Sequence, residues 1–316
     1  MKAQILTTAT LFAVFSGVLP AADPQLLSLV MPDAKVLAGV NVEQARGSTF
    51  GQYVLTQMQS QDQEMQKLAE LTGFDPRRDV RELLVGSSGA ASAKTGLALA
   101  RGTFDPAKIT AAALVSGAKT ETYNGVTIIE DPKQINGIAF LDSTLVAAGD
   151  LANVKAAIDR RTIPAAIPSA LAVKVNQWSA ANDAWVISAV PPSTLTPPAT
   201  APKVPGVTGQ NAFQSVQQAA AGVKLGSLIV VTAEAQMDTP QNASAMADVL
   251  KLLANLAQMQ AAQNPDAAAL AKSLVVTVQG DTLKVSLSLP QEQIQQLVKP
   301  KPAAATKAPR KAERKM

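Results

Sequence analysis

Apolar and polar positions alternate over residues 35–42, as in a strand, and the run ends in a polar, Gly-containing connection. The period then changes. From Ser48 or Thr49, either of which suits an N-cap, Phe50, Val54, Met58, Met65, Leu68 and Leu71 recur at three- and four-residue steps, with one longer gap over Gln61-Asp62, until Gly73. That spacing predicts one helix. Its other face carries Gln52, Gln59, Gln63 and Gln66, the composition of a solvated surface; a partner helix is the alternative. Phe74-Asp75-Pro76 and Phe104-Asp105-Pro106 share one local design, with a buried aromatic, Asp as N-cap and Pro at the first helical position, so each predicts a helix start. Between them residues 82–85 and 97–100 read as strands joined by a Gly/Ser-rich loop.

After a helix over 106–115, Asn124-Gly125 carries the pair favoured by type I′ turns, so 119–123 and 126–130 pair as a hairpin. Residues 138–141 and 145–148 flank a second turn, and Asp150 caps a helix that runs to Arg160-Arg161. In the second half, 171–175 and 184–190 read as strands, 213–220 as a short helix and 225–234 as a strong strand. Met246, Val249, Leu250, Leu253, Leu256 and Met259 mark a long amphipathic helix. A hairpin of 274–279 and 283–289 across Gly280-Asp281 and a helix over 291–298 close the pattern. In both halves a long strand precedes an amphipathic helix and a hairpin precedes a terminal helix, which predicts an internal duplication. The expected fold is α+β, with antiparallel sheets of hairpins and long amphipathic helices packed on one face. Residues 23–165 and 166–298 form its two halves, and a Pro-rich loop at 191–208 is either a linker or an exposed loop.

Tyr123-Asn124-Gly125-Val126-Thr127-Ile128, Phe140-Leu141-Asp142 and Leu145-Val146-Ala147-Ala148-Gly149-Asp150, followed by a helix through Val154 and Ile158, resemble a group of exported bacterial proteins of unknown function. In that group a Y-x-G-x-x-I hairpin leads to a strand pair and then to a helix beginning just after Gly or Ser. The resemblance covers about residues 30 to 160. It implies an exported α+β protein and brings no catalytic residues.

Export is also written at the N-terminus. Met1-Lys2 is followed by an uncharged run from Ile5 to Leu19, the pattern of a signal peptide and shorter than the ~20 apolar residues a membrane-spanning helix needs. Small residues at Ala21 and Ala22 place the cut after one or the other, so residues 1–22 are assigned to the leader and the mature chain to the periplasm or beyond. Of the chain's net +4, the tail from Lys299 to Met316 holds +6, because Lys299, Lys301, Lys307, Arg310, Lys311, Arg314 and Lys315 face only Glu313; residues 1–298 are therefore −2. The basic pI belongs to the tail. Low-complexity and without apolar periodicity, residues 299–316 read as a disordered extension, either solubilising or in contact with an anionic envelope surface. The acidic body and an aromatic content of 3% argue against nucleic acid as a partner.

The chain contains neither Cys nor His. This removes thiol catalysis, disulfides, Ser-His-Asp triads and the commonest zinc ligands, leaving carboxylates, Ser-Lys pairs, Thr or Tyr for any chemistry. The loop ending in Lys94-Thr95 departs from a phosphate-binding loop at Ser88 and Ala93, where Gly is required. Ser87, Ser88 and Ser92 lack the S-x-x-K spacing to Lys94, and Glu130-Asp131 point to opposite faces of a strand. No catalytic residue, metal site or cofactor is assigned. Trp178 and Trp185 are possible contacts for an apolar ligand, with core packing the simpler reading. The expected function is that of a non-enzymatic binding or scaffolding module of the cell envelope. A carrier or sensor holding an apolar ligand between sheet and helices is the second expectation, and a hydrolase using Ser, Lys or carboxylates alone the third.

Overall fold

Local start and stop signals organise the chain before any long-range contact does. Asp75, Asp105 and Asp150 accept hydrogen bonds from the backbone N of Arg77, Lys108 and Asn153 at 3.0, 3.1 and 3.0 Å. They cap α5 (Pro76–Asp79), α6 (Pro106–Val115) and α7 (Leu151–Arg160), each cap contributing about 1 kcal/mol. Asn124 at φ 47° and Gly125 at φ 77° turn β4 (Lys119–Tyr123) into β5 (Val126–Glu130). The structure, a computed structural model, describes residues 22–59, 63–89, 96–191, 214–263 and 265–298.

The helix expected up to Gly73 is described on either side of residues 60–62, as α3 (Thr49–Gln59) and α4 (Gln63–Thr72). Two elements depart from the sequence pattern. Residues 171–175 belong to α8 (Ser169–Ala181), not to a strand: Leu171, Val175 and Trp178, at steps of four and three, are buried while Val173 is 66% exposed. Its β-branched valines imitate a strand, but the burial has helical period. Residues expected as a short helix at 213–220 run into β9 (Val216–Lys224), where pairing with β8 (Ala184–Ser188) on one side and β10 (Leu228–Met237) on the other overrides the helix preference of its alanines.

The twelve described strands make one antiparallel sheet in the order β11-β12-β10-β9-β8-β1-β2-β3-β7-β6-β5-β4. The remaining strands are β1 (Val36–Asn41), β2 (Val80–Ser87), β3 (Gly96–Gly102), β6 (Asn136–Phe140), β7 (Leu145–Asp150), β11 (Leu274–Gln279) and β12 (Thr282–Pro290). Reading outward from the β1–β8 seam, β1-β2-β3-β7-β6 on one side is repeated as β8-β9-β10-β12-β11 on the other. The helices follow the same plan. α1 (Pro24–Leu29) and α8 precede the first strands, α6 corresponds to α9 (Pro240–Met259) with α10 (Pro265–Ser273), and α7 to α11 (Gln291–Val298). Only the hairpin β4–β5, beyond β6, and the helices between β1 and β2, beginning with α2 (Val42–Gly47), are without a described counterpart. The mixed α+β class and the duplication thus appear in one architecture, whose antiparallel seam pairs Val36 with Ser188 through to Val40 with Ala184. Asp183 locks that seam, its buried carboxylate accepting from Lys224 Nζ at 2.8 Å and Leu225 N at 2.6 Å while its carbonyl accepts from Asn41 N.

Side-chain alternation sends the two apolar clusters to opposite faces. Leu37 pairs through Ile187 to Ala220 on one face, which with Leu84, Leu99, Ala147 and Ile128 forms the floor of the main core under α1, α7 and α8. Arg160 fastens this layer, donating from Nε to the carbonyl of Leu29 at 2.9 Å. On the same face, Ala220 leads on to Glu234, Lys284 and Thr277, a polar surface. Ala235, one residue along from Glu234, points the other way and joins Met237, Val216, Ala243 and Met246 in a smaller cluster under α9.

Both tryptophans belong to the main core, with Trp178 and Trp185 buried. A Cβ on Gly39 would lie 2.5 Å from the Trp185 indole. Gly39→Ala should therefore destabilise the protein by about 1–3 kcal/mol through overpacking. Val186→Thr, on the opposite surface, should change stability by under about 0.5 kcal/mol. Urea denaturation of both variants checks the assignment of faces, and equal losses would contradict it.

Candidate functional site

Antiparallel sheets commonly cover one face and leave the other polar. Here the face opposite the main core is apolar as well. From β5 inward, direct partners run Ile129, Ile138, Ala148, Ala98, Val85. From β1 outward they continue Ala38, Val186, Ala221, Ala233, Val285, Val276. This is one row without a polar residue across eleven strands. A second row, two residues along, passes from Phe140 and Val146 through Ala100, Leu83 and Val40. Beyond the seam it continues through Ala184, Val223, Val231, Leu287 and Leu274.

The ends of this face are covered and its centre is not. Phe74, Phe104 and Phe140 stack in sequence, with ring centroids 5.6 and 5.7 Å apart, so the two Phe-Asp-Pro motifs meet beside the second row. At the other end Leu283, Leu289 and Ile229 are buried. Between them Val85 and Val186 remain 38% and 41% exposed, and Ile138, on the same strand as Phe140, is 40% exposed. The helix α9 adds a separate apolar stripe of Val249, Leu252, Leu256 and Met259, all exposed, with Met259 at 83%. Exposed apolar patches are one feature by which docking surfaces are recognised.

Next to the aromatic stack a cleft of about 570 Å³ separates α6 from the strand ends, with Ala107, Thr110 and Leu114 on the helix, Val126 and Phe140 on the strands, and Arg161. Its volume lies in the range of small-molecule sites. The hairpin beside it is held to α7 by polar contacts: Tyr123 OH donates to Asp159 Oδ2 at 3.0 Å and Asn124 Nδ2 to Asp159 Oδ1 at 2.8 Å. Lys155 pairs with Glu121 at 2.7 Å and lies 5.4 Å from the Tyr123 ring centroid. The bond to Asp159 raises the Tyr123 phenol above its usual value, and the bond from Lys155 holds Glu121 below the carboxylate range.

Glu121 lies diagonally across the hairpin from the buried Glu130 on the same face, a pair of carboxylates that sequence inspection misses because it compares Glu130 with its chain neighbour Asp131. Antiparallel pairing is the signal that finds it. Gln134 donates to Glu130 and Lys155 neutralises Glu121, so the arrangement fastens the hairpin. Trp178 and Trp185 are not brought to the open face. Ser92 and Lys94 lie outside the described residues, as do residues 1–21, most of the Pro-rich loop, and Lys299, Lys301, Lys307, Arg310, Lys311, Arg314 and Lys315. Among the described residues no cluster of carboxylates is arranged to hold a metal ion, and no helix is long and apolar enough to cross a membrane.

Neither a family model nor a curated protein matches the chain. Solved structures of TP0453 share its fold. Crystal form III aligns over 86% of this chain and 96% of that one with a TM-score of 0.53 at 10% identity. Crystal form IV aligns over 86% and 95% with a TM-score of 0.51 at 9% identity. At such identities the likeness shows an α+β fold in common.

The hairpin lock can be followed optically. In an ultraviolet titration, the phenolate signal lost in Tyr123→Phe should have a midpoint above the ordinary ~10, and Asp159→Asn should lower it, because the carboxylate that opposes phenol ionisation is gone. An unchanged midpoint in Asp159→Asn would contradict the contact.

Proposed function

We propose that this chain is an exported, non-enzymatic binding module of the cell envelope that receives an apolar partner on its open sheet face. The carrying observation is the pair of unbroken apolar rows, the first of them exposed at Val85 and Val186 on central strands and at Ile138 on β6. The uncharged run behind Lys2 supports export. The absence of His and Cys supports binding over catalysis. A carrier of a small apolar molecule is the second reading, favoured by the cleft beneath α6.

An environment-sensitive apolar dye separates the two readings. The native protein should enhance its fluorescence, and Val85→Glu with Val186→Glu should abolish most of that signal without lowering the melting temperature. Leu114→Glu, at the cleft, should leave it intact. Loss in Leu114→Glu alone would favour the carrier, and a signal that survives all three substitutions would defeat the open-face proposal.

The tail supplies the proposed attachment to an anionic surface, since its +6 is set against a body of −2. Binding of the mature chain to anionic vesicles should fade with salt, as the Debye length falls from ~10 Å at 0.1 M to ~3 Å at 1 M. Removal of residues 299–316 should abolish the binding while leaving the melting temperature unchanged. Equal sedimentation of both chains with vesicles would refute the tether.

A further inference from the structure

The first described residues are tightly held. Ala22 is 5% exposed and belongs to the main core, with Leu26 and Leu29 of α1 buried behind it. Its N donates to Ser179 Oγ of α8 at 2.9 Å, and the next N, of Asp23, donates to Glu82 Oε1 of β2 at 3.0 Å. The Asp23 carboxylate caps α1 through Gln25 N and pairs with Arg101 of β3 at 2.8 Å. The charged groups around these two nitrogens are therefore Glu82, Asp23 and Arg101, two carboxylates against one guanidinium. Glu82 makes no ion pair among the described residues, and burial raises its carboxyl above the usual range.

We propose that this pocket is the receptor for the amino terminus created when the leader is removed, with hydrolysis between Ala21 and Ala22. The inference rests on the export reading above. The bond broken is the Ala21–Ala22 peptide, cut by an envelope endopeptidase with water as co-reactant. Water's oxygen ends in the Ala21 carboxylate, and both of its protons end on the Ala22 nitrogen as an ammonium group. Cutting one residue later would remove a buried core side chain and the bond to Ser179. Cutting after Ala21 keeps both and places the positive charge of the new ammonium group beside Ser179 Oγ, which accepts its hydrogen bond. Since one residue advances the chain by at most about 3.6 Å, that charge lies within roughly 7 Å of Glu82, and it balances the local excess of carboxylate.

The test uses the mature chain beginning at Ala22, released from a removable fusion, and the same chain acetylated at Ala22, each as wild type and as Glu82→Gln. Partnered ammonium has its pKa raised above the ordinary ~7.7–8.0. Its stabilisation is therefore complete below that range and is lost as pH rises through the raised value. Below about pH 7 the free-terminus protein should melt about 2–4 °C above the acetylated one. The gap should close toward pH 10 and shrink in Glu82→Gln. Equal melting temperatures for free and acetylated chains would overturn the receptor, whatever the fate of the export reading. Mass spectrometry of the protein recovered from the envelope should show Ala22 first. Folded protein retaining Met1 would overturn the processing step, and a terminus at Asp23 would overturn the choice of bond.

Discussion

An antiparallel sheet with apolar side chains on both faces has to be covered twice, and the architecture follows from how far this chain meets that demand. One face of the central strands is closed by α1, α7 and α8, which bury Leu37, Leu84, Leu99 and Ile187. Burying a side chain of that size contributes roughly 1.5–3 kcal/mol, so this layer is where most of the stability lies. The opposite face receives α9 and α10 at one end and the Phe74-Phe104-Phe140 stack at the other, and neither reaches Val85 or Val186. Closure of one face gives the fold, and incomplete closure of the other gives the proposed site.

The seam makes this arrangement possible. Two copies of a five-strand unit, each with an edge at its first strand, join antiparallel through β1 and β8 and remove both edges at once. Because the two strands are related by a two-fold axis perpendicular to the sheet, the apolar rows of the copies fall into register and run on from one to the other. The open face is thus a product of the duplication: neither copy alone has a row longer than its own strands. Asp183 and Lys224 hold the seam at one end, and at the other the backbone of Lys35 bonds to both Ser87 and Ala189.

Much of the local architecture was legible in the sequence because its signals act over a few residues. Asp75, Asp105 and Asp150 cap helices and Asn124-Gly125 turns a hairpin whatever surrounds them. The duplication was visible in element order for the same reason. The failures came where the decision is tertiary. The alanines of β9 prefer a helix in isolation and become a strand because β8 and β10 lie on either side. The valines of α8 prefer a strand and form a helix because Leu171, Val175 and Trp178 must face the core together. The open face was hidden for a third reason. A strand such as Leu97-Ala98-Leu99-Ala100 is apolar throughout, so the sequence announces that both faces are apolar without saying which of them a helix will cover.

The composition of the open rows limits what kind of partner suits them. They are built of Ala and Val with a few Leu and Ile, and Phe140 is their one aromatic, at the end of the second row; Trp178 and Trp185 serve the main core. Binding energy at protein surfaces concentrates on large anchors such as Trp, Tyr and Arg set in pockets. A low-relief aliphatic floor offers none. It gains affinity through area, roughly in proportion to the apolar surface removed from water. The bulky groups must therefore come from the partner, in the form of aromatic or long aliphatic side chains or an apolar chain laid across the strands. A surface of this kind discriminates little by shape. On that reasoning specificity has to come from what borders the floor: Arg161 at the α6 cleft on one side and the exposed stripe of α9 on the other.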